Sequence, residues 1–171
     1  MGEKAIIMLG TAGLMTAEKI LNDRRKELAR IYSERYLRDI KILLETEMKK
    51  QKEYLSVKEM TSFSTFVSCG ADGIFGALWK LGEELDTGLC VELKNITIDQ
   101  HVIELCDFVD INPYEEADST GSHIFTVQNP GETLSLLSAH GINASLIGYT
   151  TKERARTVVG DTVRYLKGNL K

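Results

Sequence analysis

The residues best placed to do chemistry in this 171-residue chain lie in one short run, Ser68-Cys69-Gly70-Ala71-Asp72-Gly73, between an apolar stretch and a helical pattern that opens near Ile74. Glycines at a strand-to-helix junction let backbone N–H groups point at an anion, and the start of the helix adds positive dipole. Gly70 and Gly73 would admit a phosphate or carboxylate, and the Ser68 hydroxyl could donate to it. Glycines also simply make turns, and Asp72 just before the helix reads as an N-cap whose charge opposes an anion. A second loop, Ser119-Thr120-Gly121-Ser122, precedes another apolar stretch. There Gly121 would let the loop approach closely and Ser122 offers a second hydroxyl.

Other polar groups carry less. Glu115, Glu116 and Asp118 share one loop and read as solvated, because a magnesium site wants carboxylates converging on one point. Cys69, Cys90 and Cys106 are odd in number and lack CxxC spacing, which indicates neither a disulfide framework nor a zinc site. His101, His123 and His140 are scattered and read as structural or solvated side chains. No metal and no catalytic residue is assigned. The formal net charge of −4 weighs against a nucleic-acid partner, since phosphate backbones demand a concentrated basic face. No apolar run reaches the ~20 residues needed to cross a bilayer, and no export signal is evident, so a cytoplasmic protein is expected.

The elements that must hold these loops fall into two parts, residues 1–60 and 61–171 of a single domain. Ala5 to Leu9 reads as a strand broken by Gly10, Thr11 and Gly13. From Thr16 to about Lys58 the pattern is helical, with Tyr36, Leu37, Ile40, Leu43, Leu44 and Met48 on one apolar stripe and Ser33 as an N-cap. This half could pack on a sheet or form a dimer seam. Downstream, strands are expected at Phe63–Cys69, Leu89–Leu93, Ile124–Val127 and Ala144–Tyr149. Helices are expected from Ile74 to Leu85, stopped by Gly88, then after Asp99 with Val102, Ile103, Cys106 and Val109 inward, and from Glu132 to Ala139, closed by Gly141. Gly160-Asp161 marks a two-residue hairpin turn between Thr157–Val159 and Val163–Leu166. Phe75, Leu78 and Trp79 read as core. The fold class is α+β: a layered α/β sandwich with a mixed, largely antiparallel sheet.

Several of these blocks, in this order, resemble the C-terminal domain shared by aminoimidazole ribonucleotide (AIR) synthetase, selenophosphate synthetase, thiamine-monophosphate kinase and the hydrogenase-maturation dehydratase. They are Gly73-Ile74-Phe75-Gly76-Ala77-Leu78-Trp79-Lys80 with Gly88-Leu89 after it, and the helix Ile98–Cys106 with its Asp110-Ile111-Asn112-Pro113-Tyr114 exit. Ser119–Ser122 and Gly141 through Gly148 follow, and Ala5–Ile20 is similar to the lead-in of the same domain. The similarity runs from about residue 63 to 150 and is nearest to the hydrogenase-maturation-like branch. In that family the junction usually reads Asp-x-Thr-x-Gly-Gly and faces nucleotide or substrate phosphates. Here Ser68, Gly70 and Asp72 replace the Asp, the Thr and the first Gly, and only Gly73 remains.

The resemblance implies a stand-alone C-terminal-like domain without its ATP-binding N-terminal domain, non-catalytic alone. It would bind a partner or a small anionic ligand through Ser68, Gly70, Gly73, Gly121 and Ser122. The partner would be a second copy or a separate ATP-binding protein, and ATP and magnesium are expected only with the latter. Two alternatives stand beside it. One is half of a two-part ATP-dependent synthase or maturation enzyme; the other is an unrelated ligand sensor on the same sandwich, since fold does not fix function.

Overall fold

A computed structural model describes residues 3–60 and 63–168. A seven-stranded sheet runs in the order β2-β4-β1-β5-β3-β6-β7, with β1 Ala5–Leu9, β2 Phe66–Ser68, β3 Gly88–Glu92, β4 His123–Val127, β5 Ala144–Thr151, β6 Arg156–Val159 and β7 Val163–Tyr165. Every pairing is antiparallel except β3 with β6, so the sheet is mixed and largely antiparallel as expected. The helices are α1 Leu14–Asp23, α2 Arg25–Leu28, α3 Glu34–Gln51, α4 Val57–Met60, α5 Gly73–Leu85, α6 Gln100–Phe108 and α7 Pro130–Ala139. No described helix is long and apolar enough to cross a membrane.

Hydrophobic alternation splits the burial between three cores. On one sheet face, Ile6, Met8, Val67, Leu89, Val91, Ile124 and Val158 meet Ile74, Ala77, Leu78 and Leu81 of α5. On the other, Ala5, Ile7, Leu9, Phe125 and Val127 lie under Tyr54, Val57 and Leu137. All five residues of β1 are buried, because this central strand is covered on both sides. The third core is helical. Leu14, Ala17 and Leu21 of α1 pack with Leu37, Ile40 and Leu44 of α3 and Val102, Leu105 and Cys106 of α6.

Half of the apolar stripe of α3, Leu37, Ile40 and Leu44, is therefore buried within the chain. Leu43, expected on the stripe, is 38% exposed instead. In α6 it is Leu105 that turns inward in place of Ile103. Ser33 caps α3 as expected, accepting from Tyr36 N, whereas Asp72 and Asp99 hold cap positions without a side-chain bond. Asp86, in the left-handed conformation, ends α5. Gly88 instead opens β3, where a side chain would overlap the Glu153 carbonyl. The hairpin forms, but with Val159 opposite Val163 the connection has three residues rather than the expected two, Thr162 joining the turn as acceptor of the Gly160 N–H at 3.0 Å. The outer half of the sheet leaves Tyr149, Val163 and Tyr165 exposed.

Arg156 ties this outer half to α5. Its guanidinium sits 4.4 Å from the Trp79 ring centroid, Nε donates to Thr87 O at 3.1 Å, and Nη1 pairs with Glu83. Only 12% of its side chain is exposed. Arg156→Ala is expected to cost about 2–3 kcal/mol through the lost charged hydrogen bonds and ring contact. The neighbouring Arg154→Ala, whose ion pair with Asp86 is open to solvent, should leave the urea midpoint in place. Equilibrium unfolding of the two variants checks the contrast.

Candidate functional site

Antiparallel pairing sets the site. Leu9 at the end of β1 lies opposite His123 at the start of β4, and His123 lies opposite Ser68 at the end of β2. The Gly10–Gly13 loop, the Cys69–Asp72 loop and the Ser119–Ser122 loop therefore crowd the same end of the sheet. Backbone bonds lace them together: Ser119 N donates to Gly70 O at 3.0 Å, and Cys69 N donates to Ser122 O at 2.9 Å. Gly13 N donates to Ser119 Oγ at 2.8 Å, and the Ser122 hydroxyl donates to Leu9 O at 2.7 Å. The two glycine loops singled out in the sequence are thus direct neighbours.

The five expected site residues nonetheless have different employments. Ser68 is exposed with its hydroxyl beside His123, and nothing lies within 4 Å of where a Gly70 side chain would stand, so Gly70 faces open space. Ser122 is fully buried and its hydroxyl serves the Leu9 carbonyl. Gly73 has φ +70° and is pressed against backbone: a Cβ there would lie 2.6 Å from Tyr114 O and 3.1 Å from Ala117 O. Phe75 N donates to the same Tyr114 carbonyl at 3.2 Å. Carbonyl oxygens thus cover the positive end of α5 that an anion was expected to meet. Asp72 is drawn aside, its carboxylate 3.7 Å from Lys80 Nζ. Gly121, at φ +100°, faces the side chain of Gln51.

Two participants went unassigned in the sequence. His123 Nδ1 lies 2.9 Å from the Ser68 hydroxyl, and its ring packs against Phe66 at 5.2 Å. Burial, helped by the nearby Lys58 cation, pushes the imidazole down to about 4, so it is neutral at physiological pH. Period-two alternation could have found it, because His123 and Phe125 share one face of β4. Gln51 is 2% exposed, and its Oε1 accepts from Thr11 N at 2.6 Å. Its signal was a polar residue on the buried helical stripe, seven positions after Leu44.

Open volume lies around rather than within this cluster. A groove of about 510 Å³ runs between α1 and the neighbouring loops, lined by Thr16, Lys19, Asp23, Ala71, Glu116 and Asp118. Among the described residues no three His, Cys, Asp or Glu side chains converge as a metal site would require. Asp118 is engaged locally, accepting from Thr120 N and Oγ1 at 2.9 and 2.6 Å. Burial also pushes the Cys69 thiol up to about 12 and that of Cys106 up to about 11, which leaves neither as a thiolate nucleophile.

Two outcomes follow from these titrations. The unfolded imidazole of His123 takes a proton near its ordinary ~6.5, while the folded one waits until about 4. Its stabilising share is complete above the unfolded value and is lost as pH falls from there toward the folded one. Between pH 7 and 5 the loss is roughly 2 kcal/mol. The urea midpoint of the wild type should drop more over that interval than that of His123→Gln. Thiol labelling of the native protein at neutral pH should modify half-buried Cys90 and spare Cys69 and Cys106, as read by mass spectrometry of peptides.

No family model matches the sequence, and no curated protein does. Solved structures do. E. coli HypE, a hydrogenase maturation protein, aligns with a TM-score of 0.68 over 98% of this chain and 50% of its own, at 14% identity. Thiamine-monophosphate kinase from Stenotrophomonas maltophilia K279a gives 0.66 over 92% of this chain and 50% of its own, at 16% identity. T. maritima PurL, complexed with ADP, gives 0.58 over 96% of this chain and 24% of its own, at 16% identity. HypE structures in complex with ATP and with HypF match as well. This chain therefore shares its fold with HypE and thiamine-monophosphate kinase and spans about half the length of each.

Proposed function

We propose that this chain acts as an AIR synthase-related C-terminal-like domain that is non-catalytic by itself and binds a small anionic ligand or a partner at its glycine-loop end. The observation that carries this reading is the convergence of the Ser68–Gly73 and Ser119–Ser122 loops at one end of the sheet, with Ser68 and Gly70 turned outward. Phosphoryl transfer needs its developing charge neutralised by metal ions and fixed cations. The groups gathered here are hydroxyls, backbone amides and a neutral imidazole, which suit binding better than turnover. Gly73 and Ser122 act as fasteners that keep the loops in register, while Ser68, Gly70 and Gly121 shape the surface a ligand meets.

A second reading is favoured by length. The chain spans about half of HypE and of thiamine-monophosphate kinase, and HypE has been seen with ATP and with HypF. The same loops would then close one side of a composite site whose nucleotide-binding half is another polypeptide. The exposed Tyr149, Val163 and Tyr165 offer apolar area for such a contact, and ATP and Mg²⁺ would arrive with that half.

Calorimetry of the purified chain with ATP–Mg²⁺ and with inorganic phosphate tests both readings, alongside an assay of released phosphate. The expected result is no ATP turnover and weak phosphate uptake. ATP binding with a stoichiometry near one, or hydrolysis proportional to the concentration of this chain, would overturn the first reading. Turnover that appears only on mixing with a nucleotide-binding half establishes the second.

A further inference from the structure

The last residue of α3, Gln51, leaves the helical core and enters the loop cluster. Its Oε1 accepts the Thr11 N–H at 2.6 Å. A side chain on Gly10, at φ +82°, would overlap Oε1, and one on Gly121 would come within 3.0 Å of Nε2. The carboxamide thus fills a space that two left-handed glycines keep clear. Nε2 is buried and has no hydrogen-bond partner among the described residues. The opposite orientation of the amide would set NH₂ against the Thr11 N–H, donor to donor, so the assignment follows from the bonding.

An unpaired buried amide donor is costly, and here half of the group fits while half does not. The fitting half is an oxygen resting on a main-chain N–H between two glycines. The misfit is a donor where no acceptor stands. An oxyanion brings acceptors alone and would leave no such orphan. The geometry points to Gln51 as an internal occupant of an oxyanion seat formed by Thr11 N, Gly10 and Gly121, from which it must withdraw before a free carboxylate or phosphate can bind. This rests on the anion-binding reading above and adds the gate to it.

Withdrawal is confined to a short stretch. Leu37, Ile40 and Leu44 anchor α3 before Gln51, and Tyr54 and Val57, buried beside Phe125 and Leu137, anchor the chain after it. Fraying the final turn between these two anchors frees the amide and leaves both cores packed. The charged groups on this stretch of α3 are Glu47, one turn before Gln51, and Lys50, whose Nζ lies 3.6 Å from the Glu47 carboxylate. A seat occupied most of the time lowers the apparent affinity in proportion to the fraction of molecules in which it is vacant.

The test compares the full chain with Gln51→Ala, Gln51→Ser and Gln51→Met, with circular dichroism to confirm that each is folded. Calorimetry uses inorganic phosphate in one arm and acetate in the other, and amide NMR follows Thr11 and Gly121. Gln51→Ala and Gln51→Ser should bind at least about tenfold tighter than wild type, with both amides shifting, whereas Gln51→Met refills the seat and shows no gain. A gain for phosphate alone assigns a phosphate ester, and a gain for acetate alone assigns a carboxylate. In the wild type, added anion should speed hydrogen exchange in the last turn of α3, a readout independent of any variant. Equal affinity of wild type and Gln51→Ala, or a matching gain in Gln51→Met, overturns the gate while leaving the anion reading intact. Absence of binding by every folded form sinks both.

Discussion

The register of β1, β4 and β2 is the constraint on which everything else depends. Leu9 opposite His123, and His123 opposite Ser68, bring loops from distant parts of the chain to one end of the sheet. A slip of one residue in any of these pairings would turn buried side chains to the other face and would separate Ser119 from Gly70. β1 is apolar and buried on both faces, so its own pattern does not choose between registers; the bonds at its end, the Ser122 hydroxyl on Leu9 O among them, hold the pairing. The same hydroxyls and amides that line the loops therefore also fix the strands that carry them.

Within that frame, the polar groups serve two purposes that the sequence does not distinguish. Some hold the loops: the Ser122 hydroxyl under Leu9 O, the Ser119 hydroxyl under Gly13 N, and Gly73 beneath the carbonyls of Tyr114 and Ala117. Others face outward, as Ser68 and Gly70 do. A glycine that admits a ligand and one that admits a neighbouring peptide bond look identical in sequence, because the cause is the same absence of a Cβ. The structure separates them by what lies within reach of the missing atom.

The division bears on how much could be read beforehand. The strand and helix order, the mixed sheet and the hairpin at Gly160-Asp161 were legible, since each rests on local periodicity or turn chemistry. The adjacency of the two glycine loops followed from the resemblance and not from spacing. Two things were not legible. One was the fate of the α3 stripe, because burial against α1 and α6 and burial against a second copy demand the same pattern. The other was the part played by Gln51 and His123, polar residues whose meaning comes only from partners distant in sequence. Similarly, Asp86 rather than Gly88 ends α5, because the glycine is required by the close passage of the 153–155 segment.

The burial of β1 also shapes the order of assembly. This strand precedes all the others in the chain, yet it sits at the middle of the sheet, and its flanking partners are β4 and β5. Until those emerge from the ribosome it has neither neighbour to bond nor full cover for its apolar side chains. Contacts so remote in sequence close slowly, and an unpaired hydrophobic strand is an invitation to foreign edges in the meantime. Its two faces are covered by cores to which α5 and α7 contribute, so the strand stays partly bare until α7 has been made as well.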